Sequence, residues 1–321
     1  MTLTKLMPVM ALLVLALAGC AALVDNRATT REARINADYP PTGRILDVDG
    51  QRVHVQIAGS GPDVVLLHGA SGNLRDFTFD LMGRLAGDYR VIAFDRPGLG
   101  WTDSLGATND SPLAQAALLR AAADQIGVRN PVLVGHSYGG AVAMAWALAD
   151  PDGPAAIVQL AGATHPWPGE LEGWYPFITS RFGRSTAVPA ITAFAPLGRA
   201  DEVIERIFAP QSAPPGYADH VGAGLSLRRD SLSANARQVM ALKPYLEQMA
   251  PLYPRLRQPI EIVHGDADTT VGLEFHARRM EAEVPGARLT VLPGVGHMPH
   301  HAAPDQVVAA IHRAAARAGL R

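Results

Sequence analysis

Short runs of branched apolar residues recur along the chain from Gly43 onward, separated by longer stretches with helical spacing. Arg44-Ile45-Leu46-Asp47-Val48 and Arg52-Val53-His54-Val55-Gln56-Ile57 flank Asp49-Gly50, a two-residue turn signal that predicts an antiparallel hairpin. Val64–Leu67, Val91–Phe94, Val132–Val134 and Ala156–Leu160 are short, continuous and apolar. Such runs predict strands buried on both faces. Helices are predicted between them at about Asp76–Leu85, at about Pro112–Ile126 with Ser111 as N-cap and Pro112 at the first helical position, and at Ala141–Leu148. This alternation predicts a mostly parallel sheet with helices on both faces, an α/β architecture.

After Gly162 the rhythm changes. Thr164 to about Arg257 is rich in proline, carries Trp167, Trp174, Tyr175 and Phe177, and offers helical segments such as Asp201–Ile207 and Ser233–Met249 but no strong strand. The α/β pattern resumes at Ile260–Val263 and Arg288–Leu292 and closes with a helix from about Asp305 to Arg317. An insertion that leaves the sheet and returns to it is expected to form a helical cap over the strand ends. The expected division is therefore a core in two parts, 43–163 and 258–321, with a cap at 164–257 and two N-terminal segments, 1–19 and 20–42.

Segment 1–19 has the order of a secretory signal peptide. Lys5 precedes the apolar stretch Leu6–Ala18, and Leu17-Ala18-Gly19-Cys20 supplies the small residues of a cleavage site. An uncleaved anchor is the alternative, since Leu6–Val24 is just long enough to span a bilayer. Cys20 is the only cysteine, so no intramolecular disulfide can form and the fold must rest on its core. Val24–Pro41 is polar, which predicts a mobile tether.

Composition narrows the function classes. The 321 residues are 48% hydrophobic and 18% charged, with 28 Lys+Arg against 30 Asp+Glu and a formal net charge of -2. Without a basic excess there is no footprint for nucleic acid. Neither a G-x-G-x-x-G after an early strand nor a phosphate-binding Walker loop occurs, so no nucleotide cofactor is expected. His297, His300 and His301 are close in sequence but lack a carboxylate or cysteine at ligand spacing, so no metal is expected either.

Gly135-His136-Ser137-Tyr138-Gly139 joins the Val132–Val134 run to the helix that follows. A serine on a tight strand-to-helix turn presents its hydroxyl, and the glycines let strand and helix approach. A serine hydroxyl also needs a base, an orienter for that base and donors for an oxyanion. His297, after Gly296 on the loop beyond the last strand, is the candidate base, with His300 and His301 as rivals. Asp268 in Gly265-Asp266-Ala267-Asp268 is the candidate acid, with Asp266 competing. The order Ser137, Asp268, His297 differs from the orders of the other two well-known serine triads.

These motifs, with His68-Gly69-Ala70-Ser71-Gly72 and Asp95-Arg96-Pro97-Gly98-Leu99-Gly100, resemble the α/β-hydrolases of the capped esterase and epoxide-hydrolase-like branch over about Arg44–Ala315. The resemblance implies oxyanion donors at the backbone amides of Ala70 and Tyr138, a structural His68 bracing the oxyanion turn, and loop-ordering roles for Asp95 and Arg96. It departs from the haloalkane dehalogenases and epoxide hydrolases of that branch, whose elbow carries an aspartate where this chain has Ser137. Esterases, lipases, lactonases, carbon-carbon bond hydrolases and cofactor-free perhydrolases share a serine elbow, and the cap decides among their substrates. Trp101, Trp167, Trp174 and Phe177 are candidates to line an acyl pocket, or to form core in and around the cap.

Separately, Leu17–Cys20 resembles the lipobox of bacterial lipoproteins. That implies an acylated Cys20 as the mature N-terminus and, with Ala21 after it, sorting to the outer membrane. The expectation is a lipid-anchored envelope hydrolase that cleaves small-molecule carboxylic esters or related acyl substrates. A non-catalytic lipoprotein that uses the fold for binding is the alternative of another class.

Overall fold

The computed structural model describes residues 3–106, 110–171, 174–196 and 198–321. The first two residues of the 1–19 segment, and a few positions in the cap, lie outside that set. The chain begins with helix α1 (Leu3–Asp38) and a hairpin of β1 (Arg44–Val48) and β2 (Gln51–Ala58). Asp49 and Gly50 both have positive φ, 52° and 82°, as a tight primed hairpin turn requires. The core continues through β3 (Asp63–Leu67), α2 (Arg75–Thr78), α3 (Leu81–Leu85), β4 (Arg90–Phe94), α4 (Pro112–Gln125), β5 (Val132–His136), α5 (Tyr138–Ala149) and β6 (Ala156–Leu160). Ser111 caps α4 as expected, its hydroxyl accepting from the Ala114 amide at 3.0 Å.

Among the described residues, five α-helices follow β6 before the next strand: α6 (Trp174–Thr179), α7 (Val188–Phe194), α8 (Gly198–Phe208), α9 (Tyr217–Val221) and α10 (Arg229–Met249). The chain then returns through β7 (Ile260–Gly265), α11 (Arg279–Glu283), β8 (Ala287–Leu292), α12 (Pro299–Ala302) and α13 (Pro304–Arg317). The eight strands form one sheet in the order β1-β2-β4-β3-β5-β6-β7-β8. Contacts along β1-β2-β4 are antiparallel and every later pair is parallel.

Alternation along the strands sends side chains to two cores, one on each face of the sheet. Val65, Leu67, Leu133 and Ile157 pack with α4 and α5, whereas Val64, Leu66, Val132, Val134 and Val158 pack with α3 and α13. Both faces are thus covered, which explains the continuous apolar runs. Each fully buried branched side chain contributes roughly 1.5–3 kcal/mol.

One expectation is corrected. Residues Val24–Pro41 do not form a mobile tether: α1 runs on to Asp38 and its C-terminal part packs against α7. Ala28 and Ile35 are buried, and seven residues of separation, two turns, place them on one helix face. Arg27 donates from Nε to the Ala193 carbonyl at 3.0 Å, and Glu32 accepts from the Arg229 guanidinium at 2.7 Å. Asp25, Arg27 and Glu32 of the segment thus find their partners at Arg229 and Ala193. That is why polarity alone misread it.

Candidate active site

The parallel register sets Leu67 beside Gly135 and Leu160 beside Val263. The turns after β3, β5 and β7 therefore emerge at one edge of the sheet, where ligand sites of open α/β sheets lie. Ser137 follows β5 directly and has φ 52° and ψ -120°. That is a strained conformation for a residue with a side chain, and it persists because the surroundings fix it. A Cβ on Gly139 would strike the Leu67 carbonyl oxygen, so the elbow closes only with glycine there. The Ser137 amide donates to the Leu160 carbonyl and its own carbonyl accepts from Gly140 and Ala163, at 3.0, 2.9 and 2.9 Å. Tyr138 opens α5, which leaves its amide among the first N–H groups of a helix, without an intrahelical acceptor.

Asp268 and His297 meet. His297 Nδ1 donates to Asp268 Oδ2 at 2.7 Å, and both side chains are buried. The other carboxylate oxygen, Oδ1, accepts from the Thr270 and Val271 amides at 2.8 and 2.9 Å. His264 Nε2 lies 3.2 Å from Oδ2 while donating to the Val271 carbonyl at 2.8 Å. Burial alone would raise the Asp268 pKa, but the hydrogen bonds from His264 and His297 and the amide of Val271 outweigh it and hold the carboxyl well below the usual range. Asp266, the rival acid, is spent elsewhere: its Oδ1 accepts from the Gly294 amide at 2.7 Å.

The turn at His68-Gly69-Ala70 is braced from behind by the fully buried Arg96. Its Nε donates to the His68 carbonyl at 2.8 Å and an amino group to the Gly69 carbonyl at 2.9 Å. A trans peptide points its N–H opposite to its C=O, so holding the Gly69 carbonyl toward Arg96 turns the Ala70 amide away from Arg96. The remaining amino group donates to Gln115 and Gln238 at 2.7 and 3.0 Å, and the guanidinium lies 4.3 Å from the Tyr138 ring centroid. His68 completes the brace, donating from Nδ1 to the Gly69 carbonyl and accepting the Arg96 amide at Nε2, both at 2.9 Å. Burial and the adjacent Arg96 push its pKa down to about 4. Asp95 binds His54 Nδ1 at 2.6 Å and the amides of Leu74 and Trp101 at 2.7 Å each.

Other expectations change. His300 and His301, the rival bases, are engaged elsewhere: with Tyr217 they converge on the buried Asp76, His301 Nε2 and the Tyr217 hydroxyl donating to Oδ1 at 2.8 Å and His300 Nε2 lying 3.1 Å from Oδ2. The carboxylate that sequence spacing lacked is thus supplied from 224 residues away, and all three groups lie within 4.8 Å. Trp174 and Phe177 are not core residues, being 46% and 48% exposed. Trp167 lines a cleft with Met240, Lys243 and Pro244, while Trp101 donates from Nε1 to the Tyr39 carbonyl at 3.0 Å. Cys20 is exposed on α1.

Several site neighbours escaped sequence reasoning. His136 donates from Nε2 to the His297 carbonyl, and Asn235 of α10 accepts from the Ser71 amide at 2.6 Å and donates to its hydroxyl at 2.9 Å. His136 stood in the open position of the pentapeptide, but Asn235, His264 and Asp76 carry no local signal.

A family model described as the alpha/beta hydrolase family matches residues 64–310. A haloalkane dehalogenase 2 from Mycobacterium tuberculosis is 25% identical over 282 residues, covering 85% of this chain and 94% of its own. A 2-hydroxy-6-oxononadienedioate/2-hydroxy-6-oxononatrienedioate hydrolase from Klebsiella pneumoniae is 25% identical over 264 residues, 80% of this chain and 89% of its own. The solved structure of an esterase from Exiguobacterium antarcticum superposes with a TM-score of 0.67 at 22% identity, covering 85% of this chain and 99% of that one.

Proposed function

The chain belongs to the alpha/beta hydrolase family, and from that membership together with the Asp268–His297 pair we infer a membrane-tethered serine hydrolase that cleaves carboxylic esters or related acyl substrates. The 2.7 Å bond between His297 Nδ1 and a buried, ionised Asp268 is the observation that carries this reading. It fixes the tautomer that leaves Nε2 free to accept a proton.

Ser137 Oγ attacks the substrate carbonyl while His297 Nε2 takes its proton. Asp268 orients the imidazole and stabilises its charged form, and the amides of Ala70 and Tyr138 receive the oxyanion. The alcohol leaves with the proton from His297, and water then attacks the acyl-enzyme by the same route. Serine at the elbow separates this chain from the chemistry named for its mycobacterial relative. The Klebsiella relative favours a second reading, a carbon-carbon bond hydrolase on the same triad.

The tether is α1. By length and composition, part of it can cross a membrane, and Cys20 lies within the part that is free of the body. We assign Cys20 as the site of lipidation and the cell envelope as the location, with the 43–163 and 258–321 parts as catalytic core and 164–257 as cap. Turnover of short p-nitrophenyl esters by a form beginning at Asp25, abolished in Ser137→Ala, is the expected result. Retained turnover in that variant would remove Ser137 as nucleophile. Loss of fatty-acid labelling in Cys20→Ser tests the anchor independently.

A further inference from the structure

Five Trp and Phe side chains are exposed among the described residues, and four of them fall between Trp174 and Phe194 of the cap: Trp174 at 46%, Phe177 at 48%, Phe182 at 66% and Phe194 at 50%. Scattered exposed apolar residues are ordinary, but a run of large aromatics on one supersecondary unit marks an interaction surface. The rings of Phe177 and Phe182 are 6.5 Å apart, and a bend at Ser180 followed by the π-helical turn Gly183–Ala187 connects α6 to α7. The inward side chains of these helices, Ile178, Val188 and Ile191, pack on Leu232 and Ala236 of α10, so the aromatics are left over on the outer side. Exposed Arg181 and Arg184 stand among them.

Docked against α7 is α1, the helix that leads to the anchor. Arg27 of α1 bonds the Ala193 carbonyl and its guanidinium lies 4.9 Å from the Phe194 ring centroid. From Cys20 to Arg27 is seven residues, about 10 Å of helix at 1.5 Å per residue. The headgroup layer of a bilayer is roughly 5–7 Å deep on each side. Phe194 is therefore held within a helical turn or two of that layer, whether Cys20 is acylated or α1 itself spans the bilayer. Aromatic rings flanked by arginine suit this position, the rings at the level of the headgroups and the guanidinium groups on lipid phosphates.

We propose that the α6–α7 face of the cap, with Trp174, Phe177, Phe182 and Phe194, docks into the headgroup layer of the membrane that holds the anchor. The inference rests on the anchored reading above. It adds that the catalytic body lies on the bilayer instead of standing off on a stalk. The cap is then seated where esters dissolved in the membrane are most concentrated, which assigns membrane-partitioned esters as its substrates.

The test uses the full-length protein reconstituted into vesicles of phosphatidylethanolamine and phosphatidylglycerol that contain dibrominated phosphatidylcholine. Flotation reports the anchor, and the fluorescence difference between the unaltered protein and Trp174→Phe isolates Trp174. The expected result is flotation with Trp174 emission quenched roughly twofold. Replacing Phe177, Phe182 and Phe194 together by serine should preserve flotation and turnover of a soluble ester, abolish the quenching and slow hydrolysis of an ester embedded in the vesicles. Flotation with no quenching overturns the docking while leaving the anchor intact. Failure to float overturns the anchored reading and the docking with it. A dimer in detergent that the triple variant converts to a monomer, with no quenching in vesicles, assigns the face to a second copy of the chain and also overturns the proposal.

Discussion

His136 Nε2 donates to the backbone carbonyl of His297 at 2.9 Å, so the loop bearing the proposed base is tied to the residue just before the proposed nucleophile. His136 is fully buried and held neutral by burial and by its neighbours His300 and His297. Its role is to position. His136→Ala should lower kcat about tenfold with KM little changed, because a loosened base misaligns proton transfer without touching substrate binding. His136→Gln, which keeps a donor at similar reach, should recover most of the loss. Equal losses in both variants, tracking thermal stability, would reduce His136 to a packing residue.

Asp268 and Asp266 make opposite predictions although only one residue separates them. Asp268→Asn should cut kcat by about 10³–10⁴ with the fold intact, the size expected when the base is left in the wrong tautomer. Asp266→Asn should keep turnover and cost about 1 kcal/mol through its bond to the Gly294 amide. Steady-state kinetics and urea midpoints on the two proteins decide between them.

Arg96 is expected to be worth more to the site than its distance from the chemistry suggests. Arg96→Met strips partners from the carbonyls of His68 and Gly69 and should destabilise by on the order of 3 kcal/mol. Arg96→Lys should rescue little, since one ammonium cannot reproduce the planar fork. In both, kcat should fall more than KM rises if the Ala70 amide loses its aim. Unchanged kcat would detach the brace from the oxyanion turn.

Stability should fall between pH 6.5 and pH 4. His68 has its pKa lowered to about 4 in the fold, whereas an exposed histidine titrates near 6.5. Between these values the unfolded chain binds a proton that the folded chain refuses, so stability is full above the unfolded pKa and is lost as pH drops. That one residue accounts for on the order of 3 kcal/mol across the window. His136, His276 and His300 are depressed too and act with the same sign. Urea midpoints from pH 7 to pH 4 should decline steadily, and a flat profile would contradict neutral burial of these rings.

The inner strands β3 to β7 were legible because they are buried on both faces and their apolar runs have no competing period. Ser111 and Asp49-Gly50 were legible for a related reason: caps and tight turns are local chemistry. The placing of β3 between β4 and β5 was not, since strand order is set by packing across the sheet. Ser137, Asp268 and His297 could be chosen from glycine-flanked loops in a fixed order. His300 and His301 could not be judged, because their environment comes from Asp76 and Tyr217 on distant segments. The docked half of α1 was hidden by its charges, whose partners at Arg229 and Ala193 lie far along the chain.

The docked half of α1 makes the boundary between the proposed anchor and the enzyme a matter of a few residues. The proposed processing ahead of Cys20 would leave Asp25, Arg27, Ala28, Glu32 and Ile35 in the chain. A soluble form that starts at Asp25 keeps every one of those contacts. One that starts at Gly43 leaves Arg229 without its two carboxylates, uncovers the seat of Ile35 beside Gly224, and frees Trp101 Nε1 and the Arg75 guanidinium from the carbonyls of Tyr39 and Pro40. Aggregation of such a shortened chain would mark the removal of part of the folded body rather than of a leader.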